Sequence, residues 1–291
     1  MTDSVEMLIN QVEKLPTINT VAFEVIQLCS DKEIPIPRLV KVVSSDQSLT
    51  AQILKVANSS YFNYPRTIYS LDRAIVILGF NLLKDIAVSL SIFSVYRGFQ
   101  SNKYIDVAAQ WKHSLVTGIV LKSLADNYDP ENKDFLYVSG LLHDIGKLVL
   151  FENMGEDYYL LQEKSRQEQK QIYQFEKKFF SFTHAEVGAR LLEKWHLPAS
   201  TVASIEYHHE PDLYTGENDI SPWIRLVYLG NLFAHLLEEG KTNREDMMKL
   251  DPDFEKQFSL PEGEFSELMT MLAESLNEHS EYISLFETGT L

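Results

Sequence analysis

Apolar positions along this chain recur at spacings of three and four residues and almost never sustain a strict alternation. Leu49, Ile53, Val56 and Ala57 fall on one helical face. The preceding Ser44-Ser45-Asp46-Gln47 has capping-box spacing, which predicts Ser44 as the N-cap with Gln47 three residues on. Ser70 is placed to cap the next helix, whose face is Leu71, Ala74, Ile75 and Leu78, and Gly79 is placed to stop it. A third apolar segment runs from Leu82 to Tyr96, and Phe265, Leu268, Met269, Leu272 and Leu276 form another stripe near the C-terminus. Glu163 to Lys178 is rich in Glu, Gln and Lys and reads as a solvated helix. Strand signals are sparse: no Asn-Gly or Asp-Gly turn occurs, and no fixed-period repeat. The pattern predicts an all-α protein. Polar or glycine-bearing stretches lie at 97–103, 212–221 and 240–253, and the first is a candidate boundary between two helical halves.

Composition narrows the partners. Apolar residues make up 45% and charged residues 23%, an ordinary globular balance. The net charge of −16 argues against nucleic acid or an anionic membrane as the main partner, since both would be repelled. A small anionic ligand held by a metal ion stays compatible with it. Lone Cys29 cannot pair within the chain, which fits a reducing cytoplasm. No signal peptide is read at the N-terminus, and no apolar run approaches the roughly 20 residues of a membrane span.

The histidines carry the chemistry. All eight lie beyond residue 112. His113 sits in Trp111-Lys112-His113-Ser114 at the start of an apolar helix. His143 and Asp144 sit in Gly140-Leu141-Leu142-His143-Asp144-Ile145-Gly146-Lys147. His184 opens His184-Ala185-Glu186-Val187-Gly188, and His208-His209 ends the helix after Pro198. Imidazole and carboxylate together suit iron, manganese or zinc. An aspartate following an apolar run is costly to bury unless paired or coordinated, so a cation would offset the burial of Asp144. Gly146 permits a close approach or a helix stop, and Lys147 would bring a positive charge beside the site. His196, His235 and His279 read as ordinary packed or surface histidines.

This constellation resembles the HD superfamily of metal-dependent phosphohydrolases, from His113 to about His235. His113 matches its first ligand histidine, and His143-Asp144 its namesake doublet. His184, His208 and His209 match the further histidines of the binuclear HD-GYP branch. The resemblance implies a divalent transition metal, as one or two ions, with Asp144 as bridge and Lys147 contacting substrate phosphate. The N-terminal half resembles a narrower relative. Leu15-Pro16, Asp46-Gln47-Ser48-Leu49-Thr50, Ile53-Leu54-Lys55-Val56-Ala57-Asn58-Ser59, Ile68, Ala74-Ile75-Val76-Ile77-Leu78-Gly79 and the Trp195-to-Pro198 turn are similar to the HDOD family. Those domains are bacterial signalling modules, many of which have lost the His-Asp pair and act by binding partners.

Three departures shape the expectation. Asn231, in Val227-Tyr228-Leu229-Gly230-Asn231, stands where the HD pattern ends in a ligand aspartate, so a neutral amide oxygen replaces a charged ligand. Pro211-Asp212-Leu213-Tyr214 follows the double histidine without the Gly-Tyr-Pro motif of cyclic di-GMP hydrolases. No sensor, receiver or second catalytic domain is recognisable, so contact with a pathway would be non-covalent. The expectation is an N-terminal helical subdomain over 1–98, an HD-type helical core over 99–240, and helices from 241 to 291 packing back on the module. Its metal ligands would be His113, His143, Asp144, His184, His208, His209 and Asn231, with Asp144 and Lys147 as the catalytic pair. Its role would be cytoplasmic signal transduction through a protein partner or a phosphorylated small molecule. The alternative is an active phosphohydrolase on a nucleotide or phosphodiester.

Overall fold

In a computed structural model the described residues are 20–29, 35–62, 64–99, 103–216, 220–258 and 260–287, together with Val5, Leu8 and Ser101. The Leu15-Pro16 pair lies outside them. Among the described residues the regular structure is helical, with no strand. The first part of the chain gives α1 (Thr20–Cys29), α2 (Ile36–Ser44), α3 (Gln47–Ala57), α4 (Leu71–Leu78) and α5 (Phe80–Tyr96). Ser70 caps α4 by accepting from the Arg73 amide, and Gly79 ends it at φ 78°, a conformation that glycine adopts without penalty. The cap of α3 is Asp46, not Ser44: Asp46 is extended and accepts from the Leu49 amide at 3.0 Å. Ser44 is still inside α2, so its backbone is unavailable for a cap until two residues later. Asn58 then uses its amide group to clamp the segment before α4, donating to Ile68 O at 2.8 Å and accepting from Ile68 N at 2.7 Å.

The centre of the molecule is α6 (Val107–Tyr128), which carries His113. It packs on α7 (Lys133–Leu142), on α13 (Ser221–Glu238), and on α16 (Glu262–Glu278) and α17 (Ser280–Glu287). Where α6 meets α7 the backbones touch: a Cβ on Gly140 would lie 2.6 Å from Gly118 Cα. Three residues after that contact comes His143. A second backbone contact joins α8 (Ile145–Met154) to α11 (His184–Lys194), where a Cβ on Gly146 would lie 2.0 Å from His184 O and 2.6 Å from Gly188 N. Gly146 therefore serves close approach and does not end a helix.

The polar run at 163–178 is two helices rather than one solvated helix: α9 (Glu156–Glu168) and α10 (Ile172–Phe180), separated by Gln169 in the left-handed region at φ 52°. Phe175 is buried, and Glu176 is fully buried. The short α12 (Ala199–Glu206) follows α11 and leads into α13. Beyond it come α14 (Arg244–Leu250) and α15 (Phe254–Gln257), so among the described residues four helices follow residue 241. Phe286 of α17 packs 5.2 Å from Phe93 and 5.4 Å from Trp111 between ring centroids. Ion pairs Lys84–Asp134 and Lys122–Asp85 tie α5 to α7 and α6. Buried apolar side chains from Val5 to Phe286 form one cluster. No described helix is long and apolar enough to cross a membrane.

The glycine contact at α8 and α11 gives a stability test. Gly146→Ala should cost about 1–3 kcal/mol in urea unfolding, because the added methyl overpacks a backbone contact. Gly263→Ala, in α16 with nothing within 4 Å of the added Cβ, should instead be neutral or gain up to about 1 kcal/mol.

Candidate metal centre

His143 is the C-cap of α7 and Asp144 the N-cap of α8, so the doublet occupies the break between two helices. Asp144 is 2% exposed. Four imidazole Nε2 atoms surround its carboxylate. His113 and His143 lie 3.8 and 3.4 Å from Oδ2, and His184 and His208 lie 3.1 and 3.9 Å from Oδ1. Lys147, one turn along α8, donates to Oδ2 at 2.5 Å. His209 completes the group, with its Nε2 3.0 Å from His184 Nε2. Asn231, 2% exposed on α13, puts Oδ1 3.1 Å from His113 Nε2. All eight residues singled out in the sequence, from His113 to Asn231, thus meet in one place.

The backs of the rings are held in ways that aim Nε2 inward. His143 Nδ1–H donates to Gly140 O at 2.8 Å, and His208 Nδ1–H to Ile205 O at 2.6 Å. His209 Nδ1–H donates to Gln171 Oε1 at 3.1 Å, and its ring stacks on Tyr173 at 4.5 Å. His184 leans on Glu176, whose Oε2 accepts from both its backbone amide at 2.8 Å and its Nδ1 at 2.7 Å. Tyr158 also donates to Glu176, and a Thr183–Glu186 capping box fixes the start of α11. Gln171 is held in turn by Asp251 at 2.9 Å, which links the segment after α14 to His209.

Charge follows from burial and neighbours. Burial pushes the Asp144 carboxyl up, but His143 and Lys147 outweigh it and hold Asp144 well below the usual range. Burial lowers His143, and lowers His208 and His209 further. Burial also opposes charge on His113 and His184, but Glu238 and Glu176 outweigh it and raise both. The donor set fits a divalent cation. His143 Nε2, His208 Nε2 and Asp144 Oδ1 are buried with no hydrogen-bond partner, which is costly unless something else completes them. His184 and His209 each use Nδ1 elsewhere, so their facing Nε2 atoms need a proton or a cation between them. Ligand atoms of Asp144, His184, His208 and His209 lie within 4.8 Å of one another, as do those of His113, His143 and Asp144.

The sequence profile of the HDOD domain matches residues 15–211. The chain belongs to the HDOD family. An uncharacterized protein of Treponema pallidum (strain Nichols) is 22% identical over 239 residues, 82% of this chain and 45% of that one. YuxH, an uncharacterized protein of Bacillus subtilis (strain 168), is 34% identical over 82 residues, 28% of this chain and 20% of that one. The chain thus spans less than half the length of either relative. A solved HDOD domain protein of unknown function from Geobacter sulfurreducens superposes with TM-score 0.75 at 20% identity, over 98% of this chain and 96% of that one. A candidate phosphohydrolase from Shewanella amazonensis SB2B superposes with TM-score 0.68 at 17% identity, over 93% and 97% of the two chains. At these identities the likeness is one of fold.

In this HDOD chain the histidines set aside as ordinary divide. His196 sits in the turn after α11 at φ 56°, and His279 ends α16 with Nδ1 bonded to Ser275 O; neither reaches the cluster. His235 does reach it, stacking on His113 with centroids 4.2 Å apart. Asn231, His235 and Glu238 are spaced four and three residues apart on α13, so helical spacing from Asn231 could have found the other two. Glu176 had no such signal, lying inside a polar run. Over the cluster opens a pocket of about 720 Å³ onto which Asp144, Lys147, His113, His209, His235 and Glu238 face. Its other cations are Lys112, Arg166, Lys170, Lys241 and Lys249.

Glu176→Gln keeps the shape of the side chain and removes the charge behind His184. It should weaken divalent-ion binding by about tenfold to a hundredfold in isothermal titration. An unchanged affinity would mean that His184 is not a ligand.

Proposed function

We propose that this HDOD protein is a signalling module built around a metal centre, acting mainly by binding a protein partner or a phosphorylated small molecule. The observation that supports the metal is the convergence of unpartnered buried donors on Asp144, with two imidazole Nε2 atoms facing each other at 3.0 Å. His143, Asp144, His184, His208 and His209 would hold iron, manganese or zinc, with His113 and Asn231 on the His143 side. Asp144, with one oxygen toward each histidine group, suits a bridge between two ions. A divalent cation bound there supplies Lewis-acid polarisation of a phosphate oxygen. Lys147 adds a fixed ammonium within reach of the same pocket.

A second reading, an active phosphohydrolase, draws support from that pocket, in which Lys147 stands beside Asp144. Two features favour binding over turnover. Asn231 contributes a neutral oxygen where a carboxylate would hold the cation more firmly. The residues after His209 form a short 3₁₀ turn, Pro211–Leu213, with Glu210 paired to Lys177 at 2.6 Å, so no Gly-Tyr-Pro segment stands over the site.

Metal analysis of the chain purified without chelator or histidine tag is the first test. Iron, manganese or zinc should be retained, and His143→Ala should hold fewer ions than the natural chain. A free cation at about a hundred times its Kd should raise the unfolding free energy by about 2.7 kcal/mol, reversed by chelation. With iron or manganese in excess, turnover of cyclic di-GMP should not exceed that of His143→Ala. Robust turnover abolished by His143→Ala would instead establish the hydrolase reading. Asn231→Asp should tighten metal binding.

A further inference from the structure

We propose a separate cation site on the pocket side of His113, formed by His113 Nδ1, His235 and Glu238. The two nitrogens of His113 face different groups. Nε2 points to Asn231 and Asp144, at 3.1 and 3.8 Å, whereas Nδ1 lies 2.6 Å from Glu238 Oε2. His235 and Glu238 are three residues apart on α13 and so project from the same face, toward a ring carried by α6. The His235 ring lies nearly parallel to that of His113, at 23° and 4.2 Å between centroids. One ligand atom from each of the three residues lies within 4.8 Å of the others. All three line the pocket, so water can fill the remaining coordination positions.

Two imidazoles and one carboxylate with open positions form a donor set for a first-row divalent ion, borderline in softness and labile to exchange. A simpler role is that Glu238 only orients His113 by accepting its Nδ1–H. That role accounts for Glu238 and gives His235 nothing to do. A cation held by all three uses every donor; the Nδ1 proton it displaces leaves to solvent through the pocket, and with an inner ion on Nε2 the ring would be an imidazolate shared by the two sites. The site shares one ring with the cluster around Asp144 and otherwise stands on its own side chains, so it does not depend on the proposed function.

The test counts ions on the full chain by equilibrium dialysis against zinc, with elemental analysis, and repeats the titration with cobalt(II) followed by visible absorption. The natural chain should hold one ion more than His235→Ala/Glu238→Gln, and one more than the milder His235→Gln, with helicity by circular dichroism unchanged. A chain carrying His143→Ala and His208→Ala should retain an ion that is lost when His235→Ala is added. That retained ion upholds the outer site even if the inner cluster proves unable to bind metal. Equal counts in the natural and the His235 variants overturn the proposal. So does an equal count with weaker binding in the double variant, which would leave Glu238 with only the orienting role.

Discussion

A carboxylate 2% exposed to solvent, ringed by four imidazole nitrogens within 3.9 Å, is the constraint around which this protein is organised. Taking a charge out of water costs several kcal/mol unless partners restore what water supplied. Lys147 restores part of it by a direct ion pair, but Oδ1 keeps no hydrogen-bond partner. The Nε2 atoms of His143 and His208 face the carboxylate as acceptors because their Nδ1–H groups are spent on carbonyls; a cation among them would supply the rest. Each of those four imidazoles is in turn fixed from behind, by the carbonyls of Gly140 and Ile205 or by the carboxylates of Glu176 and Glu238, and His209 beside them by the amide of Gln171. The cluster is therefore expensive to build and would be simpler as packed leucine. That cost is an argument that the donors are used.

The fold supplies the tolerance such a cluster needs. The ligand-bearing breaks are positioned by backbone touching backbone, at Gly118 with Gly140 and at Gly146 with His184 and Gly188. Side chains can change rotamer, but two backbones in contact cannot approach further or drift apart without disturbing everything packed on them. Around this frame, α5 braces α6 and α7 through the Lys122–Asp85 and Lys84–Asp134 pairs. The aromatic contacts of Phe286 bring the last helix against Trp111, two residues before His113. Distant parts of the chain thus bear on a site to which they contribute no ligand.

What could be read beforehand was what local pattern encodes. Spacing of three and four residues gave the helices, Ser70 and Gly79 marked two of their ends, and the order of histidines around His143-Asp144 marked the cluster. The misreadings came where a local pattern served two purposes. Ser44 has cap spacing yet belongs to the helix before, because Leu39, Val40 and Val43 carry that helix to its end. Glu176 sits among surface charges in sequence, and only the tertiary position of α10 against α11 turns it inward. His235 looked solitary because its partner, His113, is 122 residues away by number. The Asp251–Gln171–His209 chain spans 80 residues at its first step and has no periodicity to betray it.

The mouth of the pocket sets two length scales against each other. Lys112, Lys147, Arg166, Lys170, Lys241 and Lys249 share its lining with Asp144, Glu238, Glu239 and Asp246, and Glu163, Glu168 and Glu245 close by pair with Arg166, Lys170 and Lys249. The molecule as a whole carries −16. An anion far from the surface is repelled by the whole; one within a Debye length of about 8 Å feels chiefly the mouth. Added salt therefore acts mainly on arrival: it screens the outer repulsion and speeds the encounter of any anionic visitor, which must then displace carboxylates from the cations of the lining in order to settle there.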